Sequence, residues 1–329
     1  MGAGRLEKLT IASEALRGNP LGDPHERQLW VYLPPGYDDE PGRRYPAVYE
    51  LQGMTGRVDM WENRAPLRKT AIELFDELFA SGGAPPAIVV LPDCFTALGG
   101  CQYLDAPAVG NYHTFLCDEI VPWVDGRFRT LAAPEHRGVA GKSSGGYGAM
   151  VTAMLRPELF GGLATHAGDA LFEVCYQREF AQVARALREE YGGSYERFRA
   201  ELATRPALTR ESDAWIVNTF CMAAFYSEGE LPFDVATGEL RREVFERWLA
   251  WDPVRMAPAR AEALRSLRAI WIDAGTRDEY FLDLGAIAFR DALARLGVTD
   301  VHFELFADDH QAVEYRYPLS LAYLATRLS

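Results

Sequence analysis

Short runs rich in Val, Ile, Tyr and Phe alternate with stretches of helical periodicity, and this alternation restricts the fold more than any other feature of the sequence. The runs fall at 28–33, 47–51, 87–91, 138–140, 162–166, 269–273 and 301–306. Most are continuously apolar, the pattern of strands buried on both faces. Between them, 67–80, 114–124, 147–155, 171–190, 286–296 and 319–328 repeat apolar residues at helical spacing. Strand and helix in turn predict an α/β fold, a mainly parallel sheet covered on both faces. The first run ends at Pro34-Pro35-Gly36-Tyr37, a turn that predicts an antiparallel hairpin into the next run.

With 329 residues, 48% of them apolar, the chain can bury a large core, which excludes disordered and fibrous classes. Asp and Glu number 47 against 34 Lys and Arg, for a net charge of −13. That sign disfavours nucleic acid and anionic membrane surfaces as partners. The five cysteines form no CxxC pair, so no zinc ribbon or redox motif can be written from them, and reduced thiols are expected. No stretch reads as a leader or a membrane span, and the sequence-level expectation is a cytoplasmic protein without membrane insertion.

The stretch between the fifth and sixth runs differs in texture, with aromatic residues such as Phe172, Tyr176, Trp215, Tyr226, Trp248 and Trp251 on helical patterns. It reads as a helical layer packing its own core, as a cap over a pocket, or both. The predicted organisation is a core in two parts, 1–170 and 255–329, with a helical cap insertion at 171–254.

Chemistry concentrates at Gly138 to Ala149, where a short strand, a turn of small residues and a helix start enclose GxSxG centred on Ser143. A serine on a sharp strand-to-helix turn needs glycine at 141 and 145, and the following helix turns its free N–H groups toward it. Ser144 cannot centre the pattern, because Lys142 stands where glycine is required. A P-loop would need glycine where His136 stands, and a dinucleotide fingerprint from Gly146 would need a small residue at Val151.

A serine nucleophile requires a base and a carboxylate to orient it. Of the six histidines, His310 sits in a polar loop just past the last strand, within reach of the sheet's carboxyl edge. His302 reads as part of that strand, and His166 as core or supporting structure. For the acid, Asp278 lies on the loop after 269–273, with Glu279 as the alternative, while Asp273 is expected to be tied to local backbone. The order Ser143, Asp278, His310 is that of α/β-hydrolases. The N–H groups of Ser144 and of Met54, on the loop after 47–51, are the candidate oxyanion donors. A metal site from Asp308, Asp309 and His310 is disfavoured because adjacent side chains rarely point at one ion, so neither metal nor cofactor is expected.

These residues resemble the esterase family of α/β-hydrolases that includes S-formylglutathione hydrolase, enterochelin-esterase-like proteins and the antigen 85 mycolyltransferases. The similarity runs through Val31 to Tyr37, Leu51-Gln52-Gly53, Glu119 to Asp125, Arg137 to Ala149, Gly275 to Asp278 and His310. It implies an α/β-hydrolase fold and a cofactor-independent serine esterase acting through an acyl-enzyme on a small-molecule ester or thioester. It places the family's triad on Ser143, Asp278 and His310, and its oxyanion donors on Met54 and Ser144. The chain departs from the family at Gln52, Lys142 and Ser144; for Lys142 a structural ion pair is expected. An acyltransferase using the same triad and a non-catalytic binding protein are the alternatives, and a homo-oligomer is left open.

Overall fold

The computed structural model describes residues 4–311 and 313–329. Among them, eight strands form one sheet: β1 (Arg5–Ala12), β2 (Glu26–Leu33), β3 (Ala47–Leu51), β4 (Ile88–Pro92), β5 (Arg137–Lys142), β6 (Gly162–His166), β7 (Ala269–Gly275) and β8 (His302–Phe306). Their spatial order is β1-β2-β4-β3-β5-β6-β7-β8. β2 pairs antiparallel with β1 and with β4, and every other neighbouring pair is parallel.

β3, β4, β6 and β7 are buried along their whole length, so both faces of the sheet must be covered. Val48, Val89, Leu91, Ala164 and Trp271 pack under the helices Ala71–Ala80 and Tyr317–Leu328. Tyr49, Leu51, Val90, Leu163 and Ile270 face the layer that holds Ser144–Leu155 and Leu282–Arg295. The helix predicted over 67–80 starts only at Ala71, because Thr70 and Glu73 close a capping box there. Among the described residues, no helix is long and apolar enough to cross a membrane.

One strand expectation is corrected and one strand is added. β2 does not form a hairpin with β3; β4 stands between them, antiparallel to β2 and parallel to β3. The 87–91 run is apolar on both faces and takes that interior place, which turn chemistry at residues 34–37 cannot reveal. β1 went unpredicted because it is an edge strand whose side chains are mostly half-buried or exposed.

Between β6 and β7 the chain forms Phe172–Cys175, Phe180–Tyr191, Tyr195–Leu202, Glu211–Ser227 and Arg242–Leu249. The continuous helix predicted over 171–190 is interrupted by a 3₁₀ turn at Gln177–Glu179. Tyr147, on the helix after β5, lies 5.9 Å from Phe172 and 5.8 Å from Tyr226 between ring centres. The aromatic side chains of this stretch therefore extend the sheet's own core instead of packing a separate one. Trp248 is part of that packing, with its indole N–H donating to Ser227 Oγ at 2.8 Å.

Glu50, in β3, is fully buried, and neither carboxylate oxygen has a hydrogen-bond partner among the described residues. Burial pushes its carboxyl up to about 7, with the charge of His166 acting the other way. The unfolded chain releases this proton near 4.5, so the folded state holds more protons between there and about 7, and stability falls as pH rises through that window. At about 1.4 kcal/mol per pH unit, the gap amounts to about 3 kcal/mol. Glu50→Gln is therefore expected to raise Tm by several degrees at pH 8.5 and by little at pH 4.5. Thermal melts at the two pH values check this; equal shifts would contradict it.

Candidate active site

Ser143 follows β5 with φ 57° and ψ −127°, a conformation that side-chain-bearing residues rarely adopt. Its N–H donates to the His166 carbonyl at 3.0 Å, and its own carbonyl accepts from Tyr147 N–H at 2.8 Å. The strained residue is thus fixed between β6 and the first turn of Ser144–Leu155. A Cβ at Gly145 would lie 2.1 Å from the Leu51 carbonyl oxygen, and one at Gly141 would lie 2.5 Å from the Gly145 carbonyl carbon. Glycine is required at both positions because backbone, not a movable side chain, occupies the space.

The neighbouring hydroxyl is engaged elsewhere. Ser144 is buried, its Oγ accepting from Gln102 Nε2 at 2.9 Å and donating to Asp169 at 3.1 Å. Tyr176 donates to the same Asp169 oxygen at 2.7 Å, and Tyr226 donates to Gln102 Oε1 at 3.0 Å. This polar chain beside the turn was not foreseen. Asp169 lies just past β6, where one polar loop residue looks like any other in sequence. Burial raises its carboxyl to about 6, against the hydrogen bond from Tyr176.

Past the carboxyl ends of β7 and β8, Asp278 and His310 meet. Their Oδ2 and Nδ1 are 2.7 Å apart, both side chains buried. The other carboxylate oxygen of Asp278 accepts from Tyr280 N–H at 2.9 Å. A carboxylate at Nδ1 places the ring proton there and leaves Nε2 as the basic nitrogen. Glu279 does not compete for the ring: it accepts from His310 N–H at 3.0 Å and from the Gln311 amide at 2.9 Å, holding the loop. Tyr280 packs edge-on against the imidazole with ring centres 4.9 Å apart.

The loop after β3 approaches Ser143 from the third side. A Cβ at Gly53 would fall 3.0 Å from the Lys142 carbonyl oxygen and 3.3 Å from Ser143 Cβ. Thr55 N–H donates to Gly99 and Gly56 N–H to Gly53, which fixes the loop around Met54. Among the described residues, neither Met54 N–H nor Ser144 N–H donates to a protein acceptor.

Ser143 and His310 line one cavity of about 560 Å³. No hydrogen bond joins their side chains in this resting arrangement, and catalytic hydrogen bonds commonly tighten only around substrate. The cavity is lined also by Met54, Arg64, Lys142, Tyr176, Glu179 and Trp215. Burial raises the Glu179 carboxyl to about 7.

The remaining candidates are structural. Asp273 is not tied to local backbone as expected; its carboxylate meets His166 Nδ1 at 2.6 Å, Trp271 Nε1 at 3.0 Å and Arg316 at 3.0 Å. His166 Nε2 lies 2.8 Å from Ser320 Oγ. These residues repeat the serine, histidine and aspartate types, yet all three are buried without access to the cavity. His302 stacks on Trp271 with ring centres 3.7 Å apart. The ion pair expected for Lys142 does not form among the described residues; the strand carries its side chain to the cavity wall instead. All five cysteines are buried and free.

A sheet of this strand order, carrying a serine on a strained turn after β5 and a histidine past β8, defines the α/β-hydrolase fold. Solved structures share it: a ferulic acid esterase, with TM-score 0.65 and 21% identity, is covered in full by an alignment spanning this whole chain. An S-formylglutathione hydrolase from Agrobacterium tumefaciens aligns with TM-score 0.56 and 18% identity over 99% of this chain and 96% of its own. Identities at that level carry the fold alone. The chain belongs to the family described as "Putative esterase", whose profile matches residues 24–304. Among curated relatives, an endo-1,4-beta-xylanase/feruloyl esterase of Xylanibacter ruminicola is 31% identical over 40% of this chain and 18% of its own length. An esterase of Mycobacterium tuberculosis is 32% identical over 43% of this chain and 28% of its own. The alignments thus span well under two thirds of either relative.

Proposed function

We infer that the protein is a serine carboxylic-ester hydrolase acting on a small-molecule ester or thioester through Ser143, His310 and Asp278. The observation that carries this reading is the strained, glycine-flanked Ser143 lining one cavity with a histidine whose Nδ1 is held by Asp278 at 2.7 Å. Membership of the esterase family supports it.

In this reading His310 Nε2 takes the Ser143 proton as Oγ bonds to the substrate carbonyl carbon, and Asp278 stabilises the imidazolium. The carbonyl oxygen becomes an oxyanion held by the Met54 and Ser144 N–H groups, which have no protein acceptor of their own. The tetrahedral carbon then expels the alcohol or thiol, which takes the proton from His310, and leaves an acyl group on Ser143. Water, deprotonated by His310, attacks that acyl carbon, and the second tetrahedral carbon breaks its bond to Ser143 Oγ, which takes the proton back from His310 as the acid departs. Residues 171–254 act as a cap that shapes the cavity through Tyr176 and Trp215.

The purified chain is expected to hydrolyse p-nitrophenyl acetate and butyrate, with a chain-length profile set by how much acyl chain the cavity buries, at roughly 0.8 kcal/mol per methylene. Release of p-nitrophenolate measures it. A folded protein that turns over none of these esters would refute the reading.

A further inference from the structure

Lys142 immediately precedes Ser143, and its half-buried side chain forms part of the cavity wall. Four carboxylates act on it through space: Glu314, Asp278, Glu279 and Asp309. Each is engaged elsewhere. Glu314 pairs with Arg68, and Asp278 holds the His310 ring. Glu279 accepts from the His310 amide and the Gln311 side chain, and Asp309 accepts from Gln311 N–H. Burial shifts the Lys142 ammonium below its ordinary pKa, as removing a cation from water without a counter-ion must.

Arg64 lines the same cavity, exposed and outside every ion pair among the described residues, with Glu73 the carboxylate that feels its charge through space. Its neighbours Arg68 and Lys69 are instead paired, with Glu314 and Glu77. A chain with a net charge of −13 thus lines the cavity of its candidate nucleophile with two cations that form no ion pair among the described residues. Two further carboxylates that line the cavity have partners of their own: Asp169 is hydrogen-bonded by Ser144 and Tyr176, and Arg178 stands 3.5 Å from Glu179.

We propose that the natural substrate is an ester bearing a carboxylate, which Lys142 and Arg64 receive while the ester carbonyl sits at Ser143. The proposal rests on Ser143 being the nucleophile. A desolvated ammonium is costly alone, and a substrate anion that replaces its last waters removes that cost and forms a charge-assisted hydrogen bond. Lysine, a compact point charge on a flexible stem, can take this group from either the acyl or the alcohol side of the ester.

The test compares kcat/KM for matched pairs of esters. Mono-4-nitrophenyl glutarate against 4-nitrophenyl valerate places the charge on the acyl side, and 4-acetoxybenzoate against 4-acetoxybenzamide places it on the alcohol side. In the wild type the charged member of one pair is expected to be preferred, with the preference falling as NaCl rises. Lys142→Met is expected to lower that charged-to-neutral ratio by about tenfold to a hundredfold, mainly through KM, the size of one charge-assisted bond. Lys142→Arg should restore most of the ratio, and Arg64→Ala should lower it less.

A ratio that Lys142→Met leaves unchanged in both pairs would overturn the proposal while leaving the esterase reading intact. Absence of turnover on the neutral esters would instead remove the nucleophile assignment and the proposal with it. Should the Lys142 variants fail to fold, glutarate is expected to inhibit neutral-ester turnover by the wild type competitively and in a salt-sensitive way. No inhibition in that assay would equally overturn the proposal.

Discussion

Ser143→Ala is expected to lower kcat for p-nitrophenyl butyrate by about 10⁴-fold or more, with the far-ultraviolet circular dichroism spectrum unchanged. The size follows from the proposed mechanism, in which no acyl-enzyme forms without Oγ and what remains is water attack helped by the proposed oxyanion donors. The fold should survive, because backbone contacts to His166 and Tyr147, which any side chain at this position keeps, hold the strained turn. Ser144→Ala is the matched control. That hydroxyl only links Gln102 to Asp169, so its loss should weaken packing beside the turn and cost far less activity. A larger loss in the Ser144 variant than in the Ser143 variant would reverse the assignment.

Asp278→Asn is expected to reduce kcat by about 10³- to 10⁴-fold near neutral pH, with a small change in KM. An amide is isosteric with the carboxylate, so the 2.7 Å contact to His310 Nδ1 and the bond from Tyr280 N–H can persist. In the proposed mechanism, what is lost is the negative charge that stabilises the imidazolium and the acceptor that keeps the ring proton on Nδ1. If the amide nitrogen faces the ring, the proton moves to Nε2 and the base is blocked. Glu279 cannot take over, since its carboxylate is committed to the His310 amide and to Gln311. Glu279→Gln should therefore be much milder, and steady-state kinetics on the two variants separate the orienting acid from the carboxylate that holds the loop.

The interior of the sheet was legible in the sequence because continuous apolar runs have few other uses in a chain of this composition. The segments 47–51 and 162–166 coincide with β3 and β6, and the order of strand and helix gave the mainly parallel topology. Edges were less legible. β1 carries Glu7, Lys8 and Thr10 among its apolar residues, and its role depends on a partner, β2, that local pattern does not name. The place of β4 between β2 and β3 is a matter of long-range pairing, whereas the Pro34 to Tyr37 turn speaks only for its own four residues.

The site divides along the same line. Ser143 was visible because a backbone constraint writes itself as glycine at fixed spacing. The meeting of Asp278 and His310, 32 residues apart, could be anticipated only through the order of elements. Lys142 was misread because an ion pair is the usual fate of a half-buried lysine, and the carboxylates near it are taken up by Arg68, His310 and Gln311. Asp169 and Gln102 left no sequence signal, since their importance lies in whom they touch.

Peptide mass spectrometry after treatment with a fluorophosphonate reagent tests the central claim most directly. A single phosphonyl adduct on the hydroxyl of Ser143 is expected, absent in Ser143→Ala and formed far more slowly in His310→Ala. An adduct on another serine, or a folded protein that acquires none, would contradict the account.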